Sequence, residues 1–278
     1  MVDLHAHTDR SDGTLSPRRL VDLARGVKLS ALAITDHDTI AGYDYVADYA
    51  TEIDFDLICG VELSTMLAGE SVHILGYFFD GADKAFRDYV TGLKESRRDR
   101  NRRLAERLRE LGLEIDLADA EALGAEQTGR PHFARLLVKK GYVAGYREAF
   151  DQYLDDEAPG FVDRKEPSVE QALAAISASG GLSSWAHPWR FFVRTGRDPG
   201  KTFDELQRLG LAGVEAHHRD HDERQTKILK NTAVELGLAV TGGSDYHGPT
   251  SGGVDLGDVN ISDDDLASLR QRSQTLTA

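Results

Sequence analysis

The chain has 278 residues, of which 47 are acidic and 33 basic, and its net charge of −14 argues against a protein that coats nucleic acid with a basic surface. Its length suits one barrel of roughly 200–250 residues with an insertion as well as it suits two small domains. The single cysteine excludes a disulfide framework, and there is no export signal and no apolar run near the ~20 residues of a membrane span, so the sequence predicts a cytoplasmic protein.

Short apolar runs alternate with helical patterns along most of the chain, which predicts a parallel sheet with helices packed outside it. The first helix is marked by Ser16 and Pro17, a typical N-cap followed by proline at the first helical position. The predicted strands are 2–7, 31–35, 56–63, 72–79, 181–186, 213–217 and 238–241. The predicted helices that alternate with them are 17–26, 40–49, 169–179, 203–209, 223–237 and 263–272.

Residues 81–163 interrupt this alternation, because their apolar side chains recur at helical spacing and no convincing strand is present. The start of this stretch is basic, with ten lysines and arginines against four acids in residues 84–109. We therefore predict a barrel formed by residues 1–80 and 164–278, with a helical insertion at 81–163 that caps the active site.

Histidines and acidic residues gather at the predicted strands, mostly where a strand ends. Residues two apart in extended chain point to the same side, so His5 with His7, and Asp245 with His247, each present two ligands to one place. One histidine at a strand end is usually a core or surface residue, but several clusters that mix imidazole with carboxylate predict a multi-metal site. The candidates are His5, His7, Asp12, Asp36, His37, Glu62, His73, His187, His218, Asp245 and His247.

Six short motifs carry most of these residues in order along the chain. They are Asp3-Leu4-His5-Ala6-His7-Thr8, Asp12-Gly13-Thr14, Thr35-Asp36-His37-Asp38, Gly60-Val61-Glu62, Ala186-His187-Pro188 and Gly243-Ser244-Asp245-Tyr246-His247. Together they resemble the motifs of the PHP (polymerase and histidinol phosphatase) family over nearly the whole chain. The resemblance implies a distorted, TIM-like barrel of seven strands that holds two or three divalent metal ions.

The resemblance also implies which residues hold each metal ion, with Glu62 shared between two of them. The first ion would be held by His5, His7, Glu62 and Asp245, the second by Asp12, His37 and His247, and the third by Glu62, His73 and His187. Some family members have histidine in place of Asp12, which bears on metal preference. Asp36 is expected to orient a ligand histidine. Manganese is the expected metal, with zinc, iron and magnesium as alternatives.

The implied chemistry is metal-assisted hydrolysis of a phosphate ester, in which two cations lower the pKa of a bridging water and grip the phosphate oxygens. His187 or His218 is expected to protonate the leaving group. Arg130 and His132, at the start of a helix, form a candidate phosphate site, although Arg130 could equally be a solvated surface arginine. Arg190 and Arg97 are further candidates, with a salt-bridged side chain as the alternative for Arg97.

The layout most resembles a stand-alone bacterial branch of the family that contains nucleoside 3′,5′-bisphosphate phosphatases and 5′-3′ exonucleases acting on RNA. Because the chain is acidic and has no extended basic channel, the prediction favours removal of the 3′-phosphate from a small nucleotide over trimming of short RNA, without a stable protein partner. Histidinol-phosphate phosphatase, amidohydrolase and a non-catalytic metal-binding module are the other readings. The arginine-rich insertion argues against a histidinol-phosphate phosphatase, and the lack of a well-placed lysine on a strand argues against an amidohydrolase. The complete ligand set argues against a non-catalytic module.

Overall fold

Seven strands form one curved sheet in the computed structural model, which describes residues 1–124, 127–249 and 254–276. Their order around the sheet is their order in the chain: β1 (Val2–Asp3), β2 (Ala31–Ile34), β3 (Asp56–Leu67), β4 (Glu70–Tyr77), β5 (Leu182–Trp185), β6 (Gly213–His217) and β7 (Ala239–Gly242). The extensions of the first and last strands meet, because Leu4 N donates to Gly242 O (3.2 Å) and His7 N donates to Tyr246 O (2.9 Å). The sheet is therefore a nearly closed barrel, as predicted.

Strand β4 runs antiparallel to both of its neighbours, so the prediction of a wholly parallel sheet was wrong at this strand. The reason is the two-residue loop of Ala68 and Gly69, whose φ angles of 51° and 84° suit a tight hairpin turn between Leu67 and Glu70. A parallel connection would need a crossover of a dozen or more residues. The reversal has a functional consequence, because it places His73, near the start of β4, at the barrel end where the other strands finish.

Eleven α-helices lie within the described residues. They are α1 (Pro17–Gly26), α2 (Ala41–Glu52), α3 (Lys84–Glu110), α4 (Leu117–Glu121), α5 (Arg130–Lys139), α6 (Tyr146–Ala149), α7 (Val169–Ala178), α8 (Trp189–Thr195), α9 (Pro199–Arg208), α10 (Glu223–Glu235) and α11 (Asp263–Leu276). A π-helical turn, Phe150–Leu154, continues α6. Helix α8 was not predicted, and β1 is shorter than predicted. Among these helices none is long and apolar enough to cross a membrane.

The described part of residues 81–163 contains helices and no strand, and it has an apolar core of its own. That core includes Leu104, Leu108, Phe133, Leu137 and Leu154. Two polar side chains tie it to the loops at the barrel end. Arg135 Nη2 donates to the carbonyl of Asp12 (2.5 Å), and Gln127 Nε2 donates to the carbonyls of His37 (3.1 Å) and Asp38 (3.2 Å). These helices thus lie over the barrel end that carries the histidines.

Candidate metal centre

The barrel end brings together all nine of the predicted metal ligands. They come from six places: the segment after β1 (His5, His7, Asp12), the end of β2 (His37), β3 (Glu62), β4 (His73), the end of β5 (His187) and the segment after β7 (Asp245, His247). Eight of the nine belong to groups whose ligand atoms lie within 4.8 Å of one another, and His187, which belongs to none of these groups, lies 3.0 Å from Glu62 Oε1 through Nε2. The groups are His5, His7, Glu62 and Asp245; His7, Asp12, His37 and His247; His37, Glu62 and His73; and His5, Glu215 and His218.

Glu62 lies at the middle of this centre and is only 1% exposed. Its Oε2 atom faces ring nitrogens of three histidines, at 3.1 Å (His5), 3.2 Å (His7) and 3.1 Å (His37). Its Oε1 atom faces two others, at 2.8 Å (His73) and 3.0 Å (His187). Because the two oxygens face different histidines, the carboxylate has the geometry of a ligand shared between two cations.

Several buried atoms of the centre have no hydrogen-bond partner in the described structure. They are His5 Nε2, both ring nitrogens of His7, His37 Nδ1, Glu62 Oε2 and His218 Nε2. Buried polar atoms are normally satisfied, so a cluster of them that points at one place needs an explanation. Lone pairs from imidazole and carboxylate are the donors that manganese, zinc and iron prefer, and these residues therefore fit a divalent metal site.

Glu215 is a buried residue that sequence reasoning missed. Its Oε1 atom lies 2.9 Å from His5 Nδ1, and its Oε2 atom accepts a hydrogen bond from His187 N (2.7 Å). Through the first contact the carboxylate holds His5 with its Nε2 atom facing Glu62 and Asp245, the arrangement of a carboxylate that orients a metal-binding histidine. The available signal was an acid inside the apolar strand 213–217, which had no evident reason to be charged.

Asp36 plays a different part from the one expected. Its carboxylate accepts hydrogen bonds from Thr8 N (2.8 Å), Thr8 Oγ1 (2.7 Å) and Ser11 Oγ (2.6 Å), so it fixes the loop after β1, and in the described structure it makes no hydrogen bond or ion pair with a histidine ring. The loop it fixes carries Asp12. Asp36 therefore positions a carboxylate ligand candidate and not an imidazole.

The charged groups of the centre shift one another's pKa values. Burial alone would lower the pKa of His5, but the carboxylates of Glu215, Glu62 and Asp245 raise that pKa well above its ordinary value. Burial would likewise raise the pKa of Glu62, but the histidines around it hold that pKa well below its ordinary range. Metal binding requires neutral imidazole, and the carboxylates then present a concentrated negative charge to a cation.

A cavity of about 440 Å³ opens beside His73 and His187. Its wall carries five arginines: Arg130, Arg147, Arg190, Arg194 and Arg219. Two of them, Arg130 and Arg190, were predicted as substrate-binding residues. The other three, Arg147, Arg194 and Arg219, were not predicted, and no local motif marks them. Arg130 donates through Nη1 to Leu154 O (3.2 Å) and to Asp156 Oδ1 (3.0 Å), which fixes its guanidinium group in the wall.

The other predicted substrate and proton-transfer residues lie in different surroundings. His132 is buried, and its Nδ1 atom accepts from Gly129 N (3.1 Å) at the start of α5. Arg97 is also buried and donates to Asp38 and to Ser64 Oγ (2.8 Å). It therefore forms a salt bridge, which was the alternative prediction for this side chain. Their roles in substrate binding stay predictions. His218 accepts from Asp220 N at Nδ1 (3.1 Å), and its Nε2 atom lies 3.5 Å from Asp245 Oδ2.

Comparison with known proteins shows where the chain belongs. The PHP domain family matches residues 3–155. A 5′-3′ exoribonuclease from Haemophilus influenzae is 34% identical over 255 residues, which cover 92% of each chain. A 3′,5′-nucleoside bisphosphate phosphatase from Chromobacterium violaceum is 33% identical over 263 residues, 92% of this chain and 90% of the relative.

The fold is also shared with a solved structure. A protein from Bifidobacterium adolescentis, assigned as a metal-dependent phosphoesterase, superposes with a TM-score of 0.89 at 32% identity, covering 98% of this chain and 96% of the other. The sequence match and the structural match both extend over almost the whole length of the chain. The chain therefore belongs to the PHP domain family, and it is a hydrolase that acts on phosphoester bonds.

Proposed function

We propose that the enzyme removes the 3′-phosphate from nucleoside 3′,5′-bisphosphates and releases the 5′-mononucleotide. The observation that carries this proposal is the arginine-lined cavity that opens at the edge of the candidate metal centre, at His73 and His187. A substrate with two phosphates could place one at the centre and the other against guanidinium groups, which bind phosphate oxygens in pairs. The cavity volume of about 440 Å³ falls within the roughly 300–1,000 Å³ typical of small-molecule sites.

Two or three divalent cations would occupy the centre, which contains two ligand groups of four residues each: His5, His7, Glu62 and Asp245, and His7, Asp12, His37 and His247. The carboxylates favour manganese among the metals that imidazole accepts. When bound, such cations supply an attacking water of lowered pKa and screen the charge of the phosphate. The task of Glu215 is to orient His5, and the task of Asp36 is to hold the loop that carries Asp12.

The hydrogen bond to the oxygen of the leaving group is assigned to His218 in preference to His187. Because His218 Nδ1 accepts from the backbone N–H of Asp220, the neutral ring carries its hydrogen on Nε2, which lies beside Asp245. The neutral ring would stabilise the leaving oxygen by this hydrogen bond, and the proton that the oxygen takes up comes from water. His187 Nε2 instead lies against Glu62 at 3.0 Å, a position suited to a ligand. We keep His187 as a ligand candidate and His218 as the hydrogen-bond donor to the leaving group.

We further propose that residues 81–163 roof the site. Tyr146, Arg147 and Phe150 come from this part of the chain and line the cavity opposite His187 and Arg190. The ring of Tyr146 is 48% exposed and lies 5.2 Å from that of Phe150, which provides an aromatic face for a base. The roof would exclude water from the reacting phosphate and select for a nucleoside.

A second candidate is 5′-3′ exonuclease action on RNA, favoured by the relative from Haemophilus influenzae. It uses the same centre, but it needs the cavity to admit a continuing chain. The net charge of −14 favours the smaller substrate, because a polynucleotide would be attracted by an extended basic surface.

Product analysis distinguishes the candidates when the manganese-loaded enzyme is given adenosine 3′,5′-bisphosphate, a 5′-phosphorylated RNA oligomer or histidinol phosphate: the first and third release inorganic phosphate, and the oligomer releases 5′-mononucleotides. We expect kcat/KM for the bisphosphate to exceed the other two values by about 100-fold or more, with AMP as the product identified by chromatography. A preference for the oligomer would establish the exonuclease. Turnover of none of the three substrates would contradict both candidates.

A further inference from the structure

Arg100 is a buried arginine that has no counter-ion among the described residues. It lies on α3, is 5% exposed, and makes a hydrogen bond from Nε to Oδ1 of Asn101 (3.1 Å). Across the described ranges no carboxylate oxygen lies within 4.0 Å of its guanidinium nitrogens. Guanidinium groups stay protonated in proteins, and a buried charge is costly unless an opposite charge meets it. The side chain therefore needs an anion that the described residues do not supply.

The charges near Arg100 make this need greater. Burial first, and then the guanidinium groups of Arg97, Arg130 and Arg164, lower the pKa of Arg100 well below its ordinary value, while Glu166 opposes this shift. The fully buried carboxylate of this region, Asp38, is already occupied, because its Oδ2 atom accepts from Arg97 and from Arg164 (2.8 Å).

A second cavity, of about 320 Å³, lies at Arg100. Four arginines line it: Arg100, Arg130, Arg164 and Arg194. Four acids line it as well, namely Glu70, Asp156, Asp163 and Glu166. Three of these acids already have partners: Glu70 with Arg194 (2.7 Å), Asp156 with Arg130 (3.0 Å) and Arg194 (3.2 Å), and Glu166 with Ser71 Oγ (2.8 Å). The guanidinium group without such a partner is the most deeply buried one, that of Arg100.

This second cavity adjoins the arginine-lined cavity at the metal centre. The two cavities have five lining residues in common: Glu70, Ser71, Arg130, Asp156 and Arg194. A ligand that enters beside His187 could therefore reach the neighbourhood of Arg100 by passing Arg130.

We propose that Arg100, with Arg130 and Arg164 beside it, binds a phosphate-type anion in the second cavity. The chemistry is that of a phosphate dianion received by buried guanidinium groups. Two sources present it: the phosphate of the substrate that is not cleaved, or free inorganic phosphate. The first source rests on the proposed function, whereas the anion site itself does not.

The direct test is calorimetric titration of inorganic phosphate into the metal-loaded enzyme and two variants. Arg100→Gln removes the charge, and Arg102→Gln is the matched control, because Arg102 lies on the same helix, has a side chain that is 54% exposed, and pairs with Asp99 and Glu106. We expect the wild type and Arg102→Gln to bind phosphate at the second cavity as well as at the metal centre, and Arg100→Gln to lose the former. Arg100→Met repeats the test with an apolar side chain of similar length.

Kinetics then separate the two sources. A KM for adenosine 3′,5′-bisphosphate that rises about tenfold or more in Arg100→Gln, with an unchanged KM for an aryl phosphate, identifies the remote phosphate of the substrate. If Arg100→Gln loses the phosphate site but keeps the wild-type KM for both substrates, the anion bound in the second cavity is free inorganic phosphate. If no phosphoester is turned over but Arg100→Gln still loses the site, the anion site stands and the proposed function fails. Equal phosphate stoichiometry and affinity in Arg100→Gln and the wild type would overturn the inference.

Discussion

Asp38 ties the barrel to α3 and to the segment before α7. It is fully buried, its Oδ2 atom accepts from Arg97 Nε (3.1 Å) and Arg164 Nη1 (2.8 Å), and its Oδ1 atom accepts from Ser64 N (2.8 Å). Burial would raise the pKa of Asp38, but the two guanidinium groups hold it well below its ordinary value. Asp38→Asn keeps the shape and removes the charge, and asparagine tolerates the φ of 51° found here.

The expected cost follows from what the variant leaves behind. Removing one partner of a buried ion pair typically destabilises a protein by about 3–5 kcal/mol, because the remaining charge is buried without compensation. In Asp38→Asn two guanidinium groups, those of Arg97 and Arg164, lose their shared anion. We therefore expect a loss of about 3–5 kcal/mol, a large part of the roughly 5–15 kcal/mol that stabilises a typical domain.

Urea unfolding followed by circular dichroism at pH 7 measures this loss. At pH 7 the ion pairs of Asp38 contribute their full stabilisation, because the folded-state pKa of Asp38 lies below the ordinary value of 3.8. This contribution is fully present above pH 3.8 and is lost as the pH falls through the lower, folded-state pKa. The control is Asp88→Asn, which breaks the exposed pair of Asp88 with Lys84 and should leave the midpoint unchanged. A midpoint for Asp38→Asn equal to that of the control would refute the reasoning.

Three further predictions concern individual side chains. Glu215→Gln should weaken metal affinity by about 10–100-fold in chelator competition, because His5 loses its orienting carboxylate; unchanged affinity would contradict this role. Burial lowers the pKa of His132 from 6.5 to about 4, so between these values the folded state binds fewer protons than the unfolded state, and stability decreases as the pH is lowered. His132→Gln should lose less stability between pH 7 and pH 5 in urea titrations, and an equal loss would count against this account. Arg130→Ala should lower kcat/KM for adenosine 3′,5′-bisphosphate about tenfold or more and leave an aryl phosphate almost unaffected, whereas equal losses would remove its role in specificity.

The elements of the fold were largely predictable from the sequence, because local signals define them. Ser16 caps α1, Oγ accepting from Arg19 N, and the helix spans Pro17–Gly26 as predicted. The direction of β4 was missed for a local reason as well. The predicted strand ended at Leu63 and left eight residues before the next strand at 72, whereas β3 continues to Leu67 and leaves only two residues for the turn.

The candidate site likewise has residues that the sequence predicts and partners that only the structure reveals. Its candidate ligands could be selected from the sequence because motifs such as His5-x-His7 are local, and the structure brings several of these motifs to one barrel end. The partners that fix those ligands were not, since Glu215 and His5 are 210 positions apart. A salt bridge was one of the predictions for Arg97, but its partner Asp38, 59 positions away, could only be found in the structure.

The measurement that tests the central claim most directly is the metal content of the wild type and Asp245→Asn, taken together with phosphate release. Asp245 belongs to the ligand group of His5, His7 and Glu62, and asparagine fits its φ of 52°. We expect the variant to fold, to bind less metal per chain than the wild type, and to release phosphate about 100-fold more slowly or worse. Wild-type metal content and wild-type turnover in Asp245→Asn would contradict the account.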